Sequence, residues 1–128
     1  VARIKLGLQR NLKLGNINAL RDWGHAQDYV EAMWLMLQQK KPEDYVIGTG
    51  KQFSVKEFAR IAFSIVGLNY KKHIIIDKRL FRPSEVVSLL ADPSKAKKVL
   101  KWKQKISFKK LVKEMVESDL EFVKKSGY

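Results

Sequence analysis

The chain has no cysteine, which excludes a disulfide framework and every thiolate metal site. Histidine is nearly absent too: His25 and His73 lie far apart, neither inside an acidic cluster, so no metal-ligand set forms around them. Charged residues interrupt every hydrophobic segment, and no run approaches the roughly 18 apolar residues of a membrane-spanning helix. The opening residues also lack the basic-then-apolar pattern of a leader peptide. These absences point to a cytoplasmic protein with no metal and no membrane partner. Acidic residues are few: 26 lysines and arginines face 13 aspartates and glutamates, a formal net charge of +13.

What is present is 128 residues, 45% of them hydrophobic, enough for one compact core. One folded unit is expected, or a piece of one, because the chain opens at Val1 inside a segment, "VARIKLGL", that reads as a helix already under way. The excess of positive charge suits a polyanion: nucleic acid, membrane phosphate or a small phosphorylated ligand. Many lysines nevertheless have the spacing of solvated helix pairs, as in Lys110/Glu114 and Lys113/Glu117. RGG repeats, a glycine-flanked aromatic RNA-binding signature and zinc-finger spacing are all lacking. The balance is against a nucleic-acid partner, although a basic nucleic-acid-binding module stays as an alternative.

Periodicity divides the chain into short strands and longer helices. "NLKLGNI" reads as a strand broken by Gly15. From His25 to Gln39 the apolar positions Ala26, Tyr29, Val30, Met33, Trp34, Met36 and Leu37 follow helical spacing, which predicts a helix buried on a wide face, with Asp28 complementing its N-terminal dipole. "DYVIGTG" (44–50) is a short β-rich run ending in glycines. Ser54 and Glu57 then form an S-x-x-E capping box for a helix that Gly67 stops. "HIIID" reads as a buried strand, Asp92-Pro93 as the start of a short helix, and Ser107 as the cap of a last helix carrying Phe108, Leu111, Val112, Met115, Val116, Leu120 and Val123. Strands this sparse suggest an α/β domain lacking part of its sheet.

Few motifs carry chemistry. Gly48-Thr49-Gly50 invites a dinucleotide-loop reading, but the third glycine of G-x-G-x-x-G falls at Phe53, and a plain turn into a capped helix is sufficient. The tyrosine-then-lysine spacing of a short-chain dehydrogenase fails at every internal tyrosine, since Tyr29, Tyr45 and Tyr70 are followed four residues on by Met33, Thr49 and Ile74. No catalytic residue is assigned. Two arginines differ from the lysine background: Arg21 stands beside Asp22 and Trp23 at a helix entrance, and Arg82 precedes Pro83, which biases it toward extended backbone. A planar guanidinium fixed in this way suits bidentate grip on phosphate. The structural alternative pairs Arg21 with Asp22 or a buried carboxylate and makes Trp23 plain core.

The phrases "LGNINALRDWGHAQDYVEAMWLMLQ", "PEDYVIGTGKQFSVKEF", "LFRPSEV", "DPSKAKKVLKW" and "SFKKLVKEMVESDLE" together resemble the GDP-mannose 4,6-dehydratase family, within the extended short-chain dehydrogenases/reductases. The resemblance runs over essentially the whole chain and aligns with the C-terminal part of the family. It implies an α/β fragment, mostly helical with short strands, with residues 1–128 as the GDP-sugar-binding portion and the Rossmann domain, with its NADP and catalytic groups, absent. The implied reaction converts GDP-mannose to GDP-4-keto-6-deoxymannose, in an enzyme that forms homodimers or homotetramers; a related nucleotide-sugar reductase or epimerase is the enzymatic alternative. By the same likeness Leu14, Gly15, Asn16 and Arg21 line the nucleotide pocket, Arg82 reaches the diphosphate and Glu85 accepts from ribose hydroxyls or the base, with Lys5 on the same side. The sequence departs from the family pattern at Leu20 (usually lysine), at Ser88 and Ala91, and at Lys101 and Gln104 around Trp102, and none of these departures falls on Arg21, Arg82 or Glu85.

Overall fold

The computed structural model describes residues 1–127. Five helices, α1 (Ala2–Lys5), α2 (Ala26–Leu37), α3 (Val55–Ile65), α4 (Ser94–Val99) and α5 (Phe108–Ser126), alternate with five short strands: β1 (Leu12–Leu14), β2 (Leu20–Asp22), β3 (Gln52–Ser54), β4 (Ile74–Ile76) and β5 (Ser88–Leu89). The strands make two small sheets. In one, β1 pairs in parallel with β4, Leu14 opposite Ile76. In the other, β2 lies between β3, antiparallel, and β5, parallel, so that Arg21 has Phe53 on one side and Leu89 on the other. The architecture is mixed α/β. No helix among the described residues is long and apolar enough to cross a membrane.

Local chemistry explains where the best-defined helices start and stop. Ser54 Oγ accepts from the Glu57 amide at 3.1 Å and the Glu57 carboxylate accepts from the Ser54 amide at 3.1 Å, the reciprocal capping box of α3. Gly67, at φ +71°, turns the chain away just past its end. Ser54→Ala is expected to lower stability by about 1 kcal/mol, measured as a shift in the urea unfolding midpoint. Ser107 caps α5 in the same manner, through the Lys110 amide. At α4 the cap lies one residue later than the sequence suggests: Pro93 precedes the helix, and Asp92 accepts from the Ser94 amide at 3.0 Å. Lys101 adopts φ +56°, a left-handed backbone conformation uncommon for a residue with a side chain.

Two apolar clusters hold the molecule together. The first joins α3 to α5 through Ala62, Val66, Phe108, Val112 and Val116, with Trp23, Phe53 and Phe58 packed against it. The second surrounds Trp102 with Ala32, Ala96 and Leu100, flanked by Tyr29 and Met36 of α2. Asp28, only 2% exposed, ties this second cluster to the 105–106 loop: its Oδ2 accepts from the amides of Lys105 and Ile106 at 3.1 and 3.0 Å, and its carbonyl accepts from the Trp102 indole at 2.8 Å.

Three sequence expectations are corrected. The wide face of α2 is not buried: Val30, Met33, Trp34 and Leu37 are 62, 61, 59 and 83% exposed, because only Asp28 and Ala32 of this helix are fully covered by other described residues. Residues 44–50 form no strand. The amides of Thr49 and Gly50 go instead to the Asp22 carboxylate, each at 2.9 Å. Finally, β4 is not a buried strand, since it has one partner strand and leaves Ile75 and Ile76 exposed.

Candidate functional site

A cavity of about 240 Å³ opens where the end of β1, strand β2 and residues 80–85 meet, and Leu14, Gly15, Asn16, Arg21, Arg82 and Glu85 all line it. Six of the seven residues singled out in the sequence therefore converge on one space, although some 60 residues of chain separate the two groups. Lys5 does not. It sits exposed in α1, whose buried residues Ala2 and Ile4 face the body of the protein, and it lies outside the cavity lining.

Each lining group is held by a nameable interaction. Arg21 occupies the middle of β2, and its guanidinium is fixed on three sides: it donates to the carbonyls of Leu20 and Val86, both at 2.7 Å, and to Glu85 Oε1 at 2.6 Å. Its partner is thus Glu85, not the adjacent Asp22, whose carboxylate is already engaged by Thr49 and Gly50. The pair is about one-fifth exposed on each side, both residues line the cavity, and Glu85 Oε2 has no hydrogen-bond partner among the described residues. Arg82, by contrast, is exposed and makes no ion pair among the described residues. Asn16 uses its side-chain oxygen to hold the turn, accepting from the Asn18 amide at 3.0 Å, which leaves its amide group as a donor.

Gly15 is where two stretches of backbone come closest. A Cβ at this position would lie 2.6 Å from the Leu80 carbonyl oxygen, so only glycine lets the 78–80 turn close over the end of β1. That turn is set by Asp77, which caps it through the Arg79 amide at 3.0 Å and grips the Arg79 guanidinium at 2.7 Å. These hydrogen bonds from Arg79 hold the Asp77 carboxyl below the usual carboxylate range.

Sequence reasoning did not assign Ala19, Trp23, Val55 and Leu80 to this lining. Trp23 is its rigid wall: the indole donates to the Phe53 carbonyl at 3.1 Å and packs against Phe58 and Phe108 at ring separations of 5.1 and 6.5 Å. His25 serves as the cap of α2, with Nδ1 accepting from the Gln27 amide and Nε2 3.0 Å from Glu114. Gly48-Thr49-Gly50 is a turn whose donors are spent on Asp22, and it leaves no amide cradle for a dinucleotide phosphate. Among the described residues no group of acidic and histidine side chains could hold a metal ion.

Two sequence relatives carry the same name. The chain is 61% identical over 125 residues to GDP-mannose 4,6 dehydratase 1 of Arabidopsis thaliana and 50% identical over 141 residues to GDP-mannose 4,6 dehydratase of Dictyostelium discoideum. These matches cover 98% and 97% of this chain but 35% and 40% of the relatives, so the chain spans little more than a third of their length. In fold it is similar to RMD from Pseudomonas aeruginosa complexed with NADPH, with a TM-score of 0.85 at 22% identity, covering 95% of this chain and 40% of that one. The model of the family described as GDP-mannose 4,6 dehydratase matches residues 1–115, and the chain belongs to that family.

Proposed function

We propose that this chain is the GDP-sugar-binding part of a GDP-mannose 4,6-dehydratase, which converts GDP-mannose to GDP-4-keto-6-deoxymannose with bound NADP. The observation that carries the proposal is the convergence of Gly15, Asn16, Arg21, Arg82 and Glu85 on one cavity, with Arg82 left unpaired at its edge. A diphosphate needs fixed cations: Arg82 takes it directly, while Arg21, already oriented by Glu85 and two carbonyls, adds a second guanidinium without further ordering. The free oxygen of Glu85 accepts from a ribose hydroxyl, and the Asn16 amide donates to the nucleotide. Binding at this remote handle fixes the hexose for reaction.

NADP supplies hydride exchange at the hexose when bound, but the residues present do not fit it, because the one glycine turn that follows the dinucleotide pattern is closed by the Asp22 carboxylate. On this reading its binding groups lie outside this chain. Two features support that division. The cavity of about 240 Å³ is smaller than the roughly 300–1,000 Å³ of a complete small-ligand site, as befits one wall of a larger pocket. The exposed stripe of α2 and the unpaired β-rich run of residues 44–50 are surfaces that a remaining sheet would cover.

Calorimetric titration of the chain with GDP is expected to show binding that Arg82→Ala and Arg21→Ala each weaken by about 1–3 kcal/mol. Unchanged affinity in both variants would remove the assignment. For the full-length enzyme, a 4-keto-6-deoxy product from GDP-mannose separates dehydration from the activity of a related reductase or epimerase.

A further inference from the structure

We propose a second binding site, for a small flat anion consisting of an aromatic ring that carries a phosphate, in the cavity between α3 and the start of α5. This cavity measures about 260 Å³ and shares only Trp23 with the cavity described above. Its apolar side is a stack of rings: Phe53 lies on Phe108 at a centroid distance of 4.1 Å and an interplanar angle of 11°, and Trp23 packs against the same Phe108. Trp23 and Phe53 are only partly buried, and both line the cavity. Their positions are fixed, since the Trp23 indole is bonded to the Phe53 carbonyl. A partly exposed aromatic surface held by packing and a hydrogen bond is suited to stacking a planar ring with little loss of side-chain freedom.

The polar side is cationic. Lys51, Arg60 and Lys109 line the cavity, all exposed, and none forms an ion pair among the described residues. This contrasts with Lys110, Lys113 and Lys125 farther along α5, each of which has a glutamate one turn away. One carboxylate, Glu57, also lines the space, but its Oε2 already accepts from the Ser54 amide and hydroxyl. Three unpaired cations against one engaged carboxylate favour an anion. Arg60 offers a planar fork for a phosphate, and Lys51 and Lys109 close on its other oxygens. The rings beneath select a phosphate attached to an aromatic group over a bare one.

The test uses 2-naphthyl phosphate as probe and follows the three indole N–H signals of the full chain by NMR. The Trp23 signal should shift to saturation while those of Trp34 and Trp102 stay in place. Arg60→Gln combined with Lys109→Gln should weaken the probe at least about tenfold, with the thermal unfolding midpoint retained because both side chains are exposed. If that variant unfolds, Lys51→Gln with Arg60→Gln reads the same site. Arg82→Ala, which affects only the other cavity, should leave probe affinity unchanged. The proposal is overturned if the cation variants bind as tightly as the parent, if Arg82→Ala abolishes the response, if the Trp34 signal moves instead, or if inorganic phosphate binds as well as the naphthyl ester.

Discussion

Asp28→Ala is expected to destabilise the chain by about 3 kcal/mol. The reason is what the carboxylate leaves behind. Its Oδ2 is the acceptor for two successive amides, Lys105 and Ile106, in a loop that leads directly into α5. Water does not replace it easily, since Asp28 is almost fully buried and the Ile106 amide is buried with it. Two unsatisfied donors at roughly 1–3 kcal/mol each set the scale, and the loss of helix-dipole complementarity at the start of α2 adds a few tenths. Asp28→Asn keeps an acceptor oxygen and is expected to cost only about 1 kcal/mol. Asp119→Ala, at an exposed position on α5, should lie within about 0.5 kcal/mol of the parent. Equilibrium urea unfolding orders the three variants. Equal midpoints for Asp28→Ala and Asp119→Ala would show that the 105–106 loop does not depend on this carboxylate.

Asp28 also marks the limit of what sequence can reveal. Its place in the first turn of a helix is legible from spacing, and the dipole argument accounts for an acid there. Its partners, 77 and 78 residues away, leave no local trace. Signals that act over a few residues are legible: the Ser54/Glu57 box, the Ser107 cap and the Gly67 stop each depend on atoms within one turn. The burial of α2 is not legible, because helical periodicity identifies an apolar face without saying what covers it. The same holds for residues 44–50, where β propensity is present but the described residues offer no neighbouring strand. The cavity was legible only through whole phrases that resemble a family. Composition and spacing left Arg21 with several possible partners, and the pairing with Glu85, 64 positions away, needed the fold.

Gly15→Ala is expected to weaken GDP binding about 100-fold, toward the upper end of the range expected for either arginine truncation, with a modest effect on stability. Gly15 does not have a positive φ, so alanine is conformationally acceptable and the substitution tests space alone. The added methyl would meet the Leu80 carbonyl oxygen at 2.6 Å and its carbon at 3.0 Å, and a backbone group cannot swing aside as a flexible side chain does. The 78–80 turn must retreat, carrying with it the segment that bears Arg82 and Glu85. Displacement of binding groups by about 1 Å is enough for a loss of this order. Because Glu85 anchors Arg21, the shift also breaks the 2.6 Å contact that orients the second guanidinium. Gly67→Ala separates this mechanism from a general glycine effect. Gly67 has φ +71° and nothing near its missing Cβ, so alanine there should cost roughly 1 kcal/mol of stability and leave GDP affinity untouched. Titration of both variants with GDP decides the matter: equal affinities would mean that the close approach of Leu80 to Gly15 has no part in forming the proposed nucleotide site.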